Sequence, residues 1–321
     1  MKKSLRHILT ACAILAATPA AALDAEAINR AGYTDTIPDE RSAMMVKLQV
    51  LLDRANVSPG VIDGYWGGNT QSAIRAYERL HGLPVDGRPD EMLWRRLTGM
   101  SGAGDDIVGT YTIAEDDAAR LRPDLPGDYA LLAEMEWLGH TSVAEAVAEK
   151  FHMDIDFLRE LNPRASFSVS EQLTVTRPGA NLDAQVTRVR ADKSESRIFA
   201  YGAADEPVAS YPVTIGSAQN PSPTGTHEVV GIAVEPTYAY KPDENFQQGD
   251  NDEQLTLPPG PNGPVGLVWI DLSKPTYGLH GTSDPATIAK NVSHGCVRLT
   301  NWDALELARN IDRGATVVFD N

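Results

Sequence analysis

The stretch HGTSDPATIAKNVSHGCVRL, residues 280–299, holds two of the seven histidines of the chain and one of its two cysteines. YGLHG ends one predicted strand, a short helix is expected around 285–289, and SHGCVRL leads into another strand. This arrangement is expected to bring His280 and Cys296 together at the mouth of a sheet. A thiol with its ordinary pKa of ~8.5 is mostly protonated at neutral pH, so nucleophilic chemistry needs a lowered pKa or a base. A paired histidine supplies that base.

The residues around Cys296 also suit a reaction in which a carbonyl oxygen becomes negative. Gly295 has no side chain to obstruct backbone N–H groups, so the amides of His294, Gly295 and Cys296 can point at one spot. Losing one such donor typically costs ~2.7–4 kcal/mol of transition-state stabilisation. Arg298, two residues further along a strand, lies on the same face as Cys296 and is the natural partner for a substrate carboxylate.

The N-terminus has the pattern of a secretory signal peptide, residues 1–22. Basic residues precede an apolar run at 8–17, and small residues follow, with cleavage predicted after Ala22. The run is too short to cross a bilayer. An alternative cleavage site, LTAC, would leave Cys12 lipidated. No later segment is apolar enough for a transmembrane helix, so the sequence predicts an exported protein that is not transmembrane.

The charge and the cysteine count restrict the partners and the redox chemistry. The formal net charge is −16, and removal of the signal makes it more negative, which argues against nucleic acid and anionic membranes. After export Cys296 cannot form an intramolecular disulfide. In an oxidising compartment such a thiol is expected to be either buried and inert or used chemically.

Residues 42–98 are predicted to be a helical block. Apolar residues fall on one helical face, Thr70 is expected to cap a second helix, and the turns Asp63-Gly64 and Asp86-Gly87 repeat one pattern. This segment resembles the three-helix peptidoglycan-binding domain, with a generic helical bundle as the alternative.

Residues 128–179 form a second predicted block. Ser142 and Glu145 read as a capping box, a second helix runs from Asp154 to a stop at Asn162-Pro163, and LTVTRP reads as a strand. The order resembles a LysM wall-binding module but lacks the GDTL opening. A small LysM-like α/β spacer is therefore predicted, and a purely structural role stays open.

From residue 183 the hydrophobic pattern has period two, and only WDALELARNI is clearly helical. Short strands separated by turn residues predict a mostly antiparallel β domain at 183–320. The whole chain is thus predicted to be a multidomain α+β protein. The polar stretch 236–264 is too long for a hairpin loop and is expected to be a lid or disordered.

The motif HGT, followed by SHGCVRL, resembles the L,D-transpeptidase catalytic domain, or YkuD fold, in the subgroup with Arg after CV. SPTGT and the WDALELA helix extend the resemblance over ~183–319. It implies that Cys296 is the nucleophile, that His280 is the general base, and that the Gly281 carbonyl orients the imidazole. Gly295 and His294 are assigned to the catalytic site. Arg298, Ser293 and Thr282 are assigned to substrate binding.

The resemblance also implies a reaction on peptidoglycan, without a cofactor. The thiolate attacks the carbonyl between the L-centre of meso-diaminopimelate and the fourth-position D-alanine of a stem peptide, D-alanine leaves, and an acyl-enzyme remains. The acceptor is the D-centre amine of another diaminopimelate, giving a 3→3 cross-link, or a lysine of an outer-membrane protein or lipoprotein. The implied location is the periplasm, at the cell wall, with a role in wall biogenesis and cell shape.

Four alternatives remain open from the residues. His294 is a second candidate for the base. His280, His294 and Cys296 together have the residue types of a zinc site, although no fourth ligand is evident and the resembling family uses no metal. Water in place of the amine would make the protein a hydrolase, such as an L,D-carboxypeptidase, endopeptidase or amidase. A non-catalytic wall-binding protein is the last alternative.

Overall fold

The structure is a computed structural model that describes residues 23–100, 104–216, 221–243, 246–290 and 295–320. The predicted signal peptide with Cys12, and the site candidates Ser293 and His294, lie outside these ranges. No helix within the described ranges is both long and apolar enough to cross a membrane.

The N-terminal part is helical. Its helices are α1 (Ala25–Arg30), α2 (Ala43–Arg54), α3 (Gly68–Leu80) and α4 (Glu91–Thr98). The prediction that Thr70 caps the helix that is now α3 was wrong, because the extended residue Gly67 occupies its N-cap position. Thr70 instead lies inside α3 and is buried, and its hydroxyl accepts a hydrogen bond from Gln49 Nε2 at 3.0 Å.

The middle part is a β-α-α-β unit with a short helix inserted after its first strand. Its elements are β1 (Val108–Thr112), α5 (Tyr129–Ala133), α6 (Val143–Lys150), α7 (Ile155–Leu161) and β2 (Gln172–Thr176). β1 and β2 pair antiparallel. The first strand, β1, lies outside the predicted range 128–179. The sequence pattern did not reveal it, because its pairing partner β2 is distant in sequence.

The N-terminal helices and the middle unit share one hydrophobic core. Met45 and Leu48 of α2 belong to the same buried cluster as Phe157 and Leu158 of α7. All four side chains are fully buried. The two parts are therefore expected to unfold together.

The C-terminal part is built on a nine-stranded sheet in the order β5-β4-β3-β13-β7-β10-β11-β12-β6. Its strands are β3 (Val186–Asp192), β4 (Arg197–Tyr201), β5 (Pro207–Pro212), β6 (Thr214–Ile215), β7 (Gly225–Val234), β10 (Val268–Leu272), β11 (Gly278–His280), β12 (Val297–Arg298) and β13 (Ile311–Phe319). Only β3–β13 and β11–β12 pair in parallel. Helix α8 (Asn301–Asn310) packs on the sheet with Ala304 and Leu307 in the core.

The long polar stretch contains a hairpin in its described part. β8 (Tyr238–Tyr240) and β9 (Leu255–Leu257) pair antiparallel. Tyr240 and Leu257 are buried against Leu132 of α5 and against Leu138. The hairpin is thus fastened to the middle unit by its own small apolar cluster.

The N-terminal helices cover the edge strand β5 of the large sheet. The Ser58 N–H donates to the Ser210 carbonyl, and the Ser210 N–H donates to the Asn56 carbonyl, both at 2.9 Å. Arg197, which is fully buried, donates to the Ser58 carbonyl at 2.8 Å. This pairing removes an exposed strand edge and fixes the helical part on the sheet.

The shared core predicts that one core substitution destabilises both the N-terminal helices and the middle unit. Leu158→Ala should lower the free energy of unfolding by ~2–5 kcal/mol, since Leu158 is fully buried. Leu131→Ala is the matched control: Leu131 is 52% exposed, and surface changes usually stay within ~0.5 kcal/mol. Hydrogen exchange should show lost protection in both α2 and α7. Loss confined to the middle unit would contradict a common core.

Candidate active site

The parallel pairing of β11 with β12 places His280 and Cys296 on one face of the sheet, on neighbouring strands. The register places Leu279 opposite Val297 and His280 opposite Arg298. Because side chains alternate along a strand, Leu279 and Val297 share the face that is buried in the core. Continuing this register puts Cys296, the residue before β12, beside Gly278. The side chains of His280, Cys296 and Arg298 therefore project from the opposite, common face.

The His280 imidazole is fixed by one backbone acceptor and one aromatic ring. Its Nδ1 lies 2.7 Å from the Gly281 carbonyl oxygen. A carbonyl only accepts, so Nδ1 carries the proton and Nε2 keeps its lone pair. The Trp269 ring stacks on the imidazole with centroids 5.7 Å apart. The residue is 6% exposed, and the result is a buried neutral base with one defined tautomer.

Burial sets the protonation state of this imidazole. Burial, and after it the positive charge of Arg298, lower the pKa of His280 to about 4, although the hydrogen bond to Gly281 opposes the shift. The imidazole is consequently neutral at neutral pH and well below it.

The Cys296 thiol is partly buried and is held by the end of β11. Its Sγ donates to the Thr276 carbonyl at 3.7 Å and receives a hydrogen bond from the Gly278 backbone N–H. Burial raises the pKa of the thiol, against the opposing effects of Gly278 and Arg298. The resting pair is therefore a thiol and a neutral imidazole.

Gly295 has a conformation that favours glycine. Its φ is +112°, and a Cβ there would lie 3.0 Å from the Tyr277 ring. Its carbonyl accepts a hydrogen bond from the buried Ser222 hydroxyl at 2.7 Å. In a trans peptide the N–H points opposite to the carbonyl, so Ser222 aims the Cys296 N–H away from itself. Sequence reasoning noted SPTGT but missed this role of Ser222.

Arg298 and Thr282 differ in what they offer a substrate. The Nε of Arg298 is buried without a hydrogen-bond partner among the described residues. Burial lowers the pKa of its guanidinium, opposed by Asp284 and Cys296. Thr282 is 4% exposed, and its hydroxyl accepts from the Asp284 N–H at 3.2 Å. Arg298 thus has unused donor capacity, while the Thr282 hydroxyl already accepts a hydrogen bond within a turn.

An aromatic side chain of the hairpin lies near the thiol, and one of α5 lies near Arg298. The pKa of Tyr238 is raised by burial and then by Tyr129 and Cys296, which shows their proximity. The Tyr129 ring packs edge-on against Tyr240, with centroids 5.2 Å apart. Sequence reasoning missed Tyr129 and Tyr238. Tyrosines in a long polar stretch were the available signal, but their partner lies over a hundred residues away.

Two candidates remain outside the described residues. Ser293 and His294 belong to the undescribed stretch just before Gly295, so the alternative base and the third residue of the alternative zinc set stay predictions. Within the part that is described, no group of three or more His, Cys, Asp or Glu side chains is arranged to hold a metal ion.

Comparison with protein families identifies two segments. Residues 186–319 match the L,D-transpeptidase catalytic domain, YkuD. Residues 41–97 match a peptidoglycan binding domain. The residues that bring His280 and Cys296 together all fall within the first match.

Individual relatives agree with the first match. YkuD of Bacillus licheniformis, which is named as an L,D-transpeptidase, is 31% identical over 175 residues, covering 54% of this chain and 90% of the relative. YkuD of Bacillus subtilis is 26% identical over 54% of this chain and 92% of the relative. ErfK/SrfK of Escherichia coli is 28% identical over 56% of this chain and 59% of its own length. The chain therefore belongs to the L,D-transpeptidase family and is an enzyme of the YkuD type.

Proposed function

We propose that Cys296 is the nucleophile and His280 the general base of a peptidoglycan L,D-transpeptidase that works through an acyl-enzyme. The observation that carries the proposal is the common face of β11 and β12. It presents a thiol and an imidazole whose Nδ1 is committed to the Gly281 carbonyl, 2.7 Å away. Only Nε2 is then free to take a proton, as a base-activated nucleophile requires.

The first half-reaction transfers the acyl group to sulfur. As Sγ attacks the carbonyl between the L-centre of diaminopimelate and D-alanine, the thiol proton passes to His280 Nε2. The backbone N–H of Cys296, aimed by the Ser222–Gly295 contact, donates to the oxygen that becomes negative. The C–N bond then breaks, the proton on Nε2 passes to the departing amine, and D-alanine leaves. The product is a thioester on Cys296.

The second half-reaction returns the thiol. An acceptor amine attacks the thioester carbonyl, and His280 takes the amine proton. Collapse of the tetrahedral intermediate breaks the C–S bond, and the proton returns to sulfur. The acceptor is the D-centre amine of a second stem, or a lysine of an outer-membrane protein or lipoprotein.

Arg298 is proposed to bind the carboxylate of the D-alanine that leaves. Its buried Nε has no partner among the described residues, and a guanidinium suits a carboxylate in two-point geometry. A bound carboxylate would also offset the positive charge that lowers the pKa of His280.

The aromatic cover favours an amine over water as the acceptor. Tyr129 and Tyr238 lie on the side of the sheet that carries Arg298 and the thiol, and both are half-buried. A site that excludes water slows hydrolysis of a reactive thioester. Hydrolysis of stem peptides is the competing activity on this fold.

The N-terminal part of the chain supports a function at the peptidoglycan wall. The segment that matches a peptidoglycan binding domain is fixed to the sheet edge by Ser58 and Arg197, so binding to the polymer would hold the active site near stem peptides. The signal pattern at residues 1–22 supports export to the periplasm, where such a wall lies.

Cys296→Ala should abolish both D-alanine release and new amide formation, because both half-reactions pass through the thioester. The drop in rate should be at least ~10⁴-fold, as for other nucleophiles that act as a unit with their base. Mass spectrometry of purified muropeptides measures both products. An unchanged melting temperature is the control. Retained activity would contradict the proposal, and trimmed but unjoined products in the unaltered protein would indicate a hydrolase.

The neutral pair predicts an unusual acid limit. The reactive imidazole is neutral, and its pKa is about 4, so about 90% of it is still competent at pH 5, against about 3% for an ordinary histidine. The kcat/KM should stay flat from pH 8 to 5 and fall as the pH drops through 4. Histidine NMR gives the pKa directly. An acid limb centred near 6.5 would show that His280 titrates as an exposed residue.

The role of Arg298 is tested with a double-mutant cycle. Arg298→Gln should lower kcat/KM about 10²-fold for a stem peptide ending in free D-alanine, within the range for breaking a buried charged contact. A stem peptide with an amidated terminus should lose a similar factor with the unaltered protein. For the amidated peptide, Arg298→Gln should have little further effect. Additive losses would mean that Arg298 does not bind this carboxylate.

A further inference from the structure

Asn301, the first residue of α8, contacts both the middle unit and the turn that contains Gly281. It is 1% exposed, so its amide must find partners inside the protein. Its Oδ1 accepts from the Leu267 N–H at 3.0 Å. Its Nδ2 donates to the Pro261 carbonyl at 3.1 Å and to the carboxylate of Glu149 at 3.1 and 3.2 Å. The oxygen and the NH₂ group of this side chain thus bind three segments that are distant from one another in sequence.

The amide oxygen of Asn301 presses against two glycines. A Cβ on Gly281 or on Gly266 would overlap Oδ1. Gly281 is the residue whose carbonyl accepts from His280 Nδ1 at 2.7 Å. The position of Oδ1 therefore limits where that carbonyl can lie, and through it where the imidazole points.

Glu149 acts with the Leu267 N–H and the Pro261 carbonyl to fix the orientation of the Asn301 amide. It lies on α6 of the middle unit, and its side chain is 14% exposed. A carboxylate accepts only, so it selects the NH₂ end of the amide and leaves the oxygen toward Leu267 and the glycines. A flipped amide would set its oxygen against that carboxylate. Glu149 also faces His140, whose Nε2 lies 3.5 Å from it.

A second set of contacts holds the segment before β10 to the middle unit. Asn262 Nδ2 donates to Glu145 at 2.7 Å and to the Gly139 carbonyl at 3.0 Å. The Leu138 N–H donates to the Pro259 carbonyl at 2.9 Å, and the Asn262 N–H donates to the Leu138 carbonyl. The middle unit, which also provides Glu149, thus holds the segment that carries Pro261 and Gly266 by several hydrogen bonds.

We propose that Glu149 is a positioning residue for the reaction: through Asn301 and Gly281 it holds the His280 imidazole in the orientation and tautomer that proton transfer requires. The proposal rests on the proposed role of His280. It gives the middle unit a task in catalysis, beside whatever it binds. Glu149 touches no reacting atom, so its effect must travel through the amide and the glycine carbonyl, a series of contacts called here the Glu149 relay.

The test compares three variants of the full chain. Glu149→Ala removes the carboxylate that accepts from Asn301 Nδ2. Glu149 lines an adjacent cavity of about 620 Å³, from which water can fill the space left by its side chain. Glu149→Gln keeps an oxygen that can accept from Asn301 Nδ2 and is the conservative variant. Glu136→Ala makes the same truncation at an exposed glutamate of the middle unit and is the matched control.

Two readouts separate positioning from general stability. Histidine ¹⁵N NMR should show the Nδ1–H tautomer of His280 in the unaltered protein and a mixture of tautomers in Glu149→Ala. The kcat should fall ~10–100-fold, as for a small misplacement of a reacting group, with KM changed less than about twofold. Glu149→Gln should restore both to near the unaltered values, and Glu136→Ala should change neither.

An unchanged tautomer and kcat in folded Glu149→Ala would overturn the Glu149 relay. A fall in kcat with an unchanged tautomer would also overturn it, because the effect would then bypass His280. If Glu149→Ala does not fold, Glu149→Asp replaces it, because its shorter side chain withdraws the carboxylate from Asn301 Nδ2. The Glu149 relay then requires a mixture of His280 tautomers in Glu149→Asp and the unaltered tautomer in Glu149→Gln, and the unaltered tautomer in both would overturn it. If the unaltered protein forms no product, the proposed function fails, while the NMR comparison still tests the Glu149 relay.

Discussion

The hydrogen bond from His280 Nδ1 to the Gly281 carbonyl is the constraint on which the site depends. A carbonyl has no formal charge with which to stabilise an imidazolium, so it fixes the tautomer while raising the pKa of His280 less than a carboxylate would. The surrounding fold keeps this weak orienting contact in place. β10 and β12 flank the histidine in the sheet, Trp269 stacks on its ring, and Asn301 fills the space against the glycine turn.

The electrostatics follow from the same burial. Both members of the pair are neutral at rest, because burial lowers the pKa of His280 and raises that of Cys296. In the proposed mechanism, charge appears only when the thiol proton moves, in a site that already holds the backbone N–H of Cys296 and the guanidinium of Arg298. A thiol that stays protonated until substrate arrives is also less prone to oxidation, since the thiolate is the reactive form.

The sequence predicts the local parts of this site well. The HGT and SHGCVRL motifs, the period-two strands and the WDALELA helix are short-range patterns, and the structure has strands and a helix at those positions. Contacts between distant segments were beyond such reasoning. Glu149 reads as an ordinary helix glutamate, Tyr129 as an apolar residue in a turn-rich region, and Ser222 as part of a loop. The resting protonation of Cys296 was also beyond such reasoning, because burial depends on what covers the thiol.

The most direct measurement of the central claim is the intact mass of the protein mixed rapidly with a tetrapeptide stem and no acceptor amine. The mass of the protein should rise by the mass of the stem peptide minus D-alanine. Fragmentation should map this adduct to Cys296, and addition of an amine should remove it. The absence of any such adduct while product still forms, or its attachment to another residue, would contradict a cysteine acyl-enzyme.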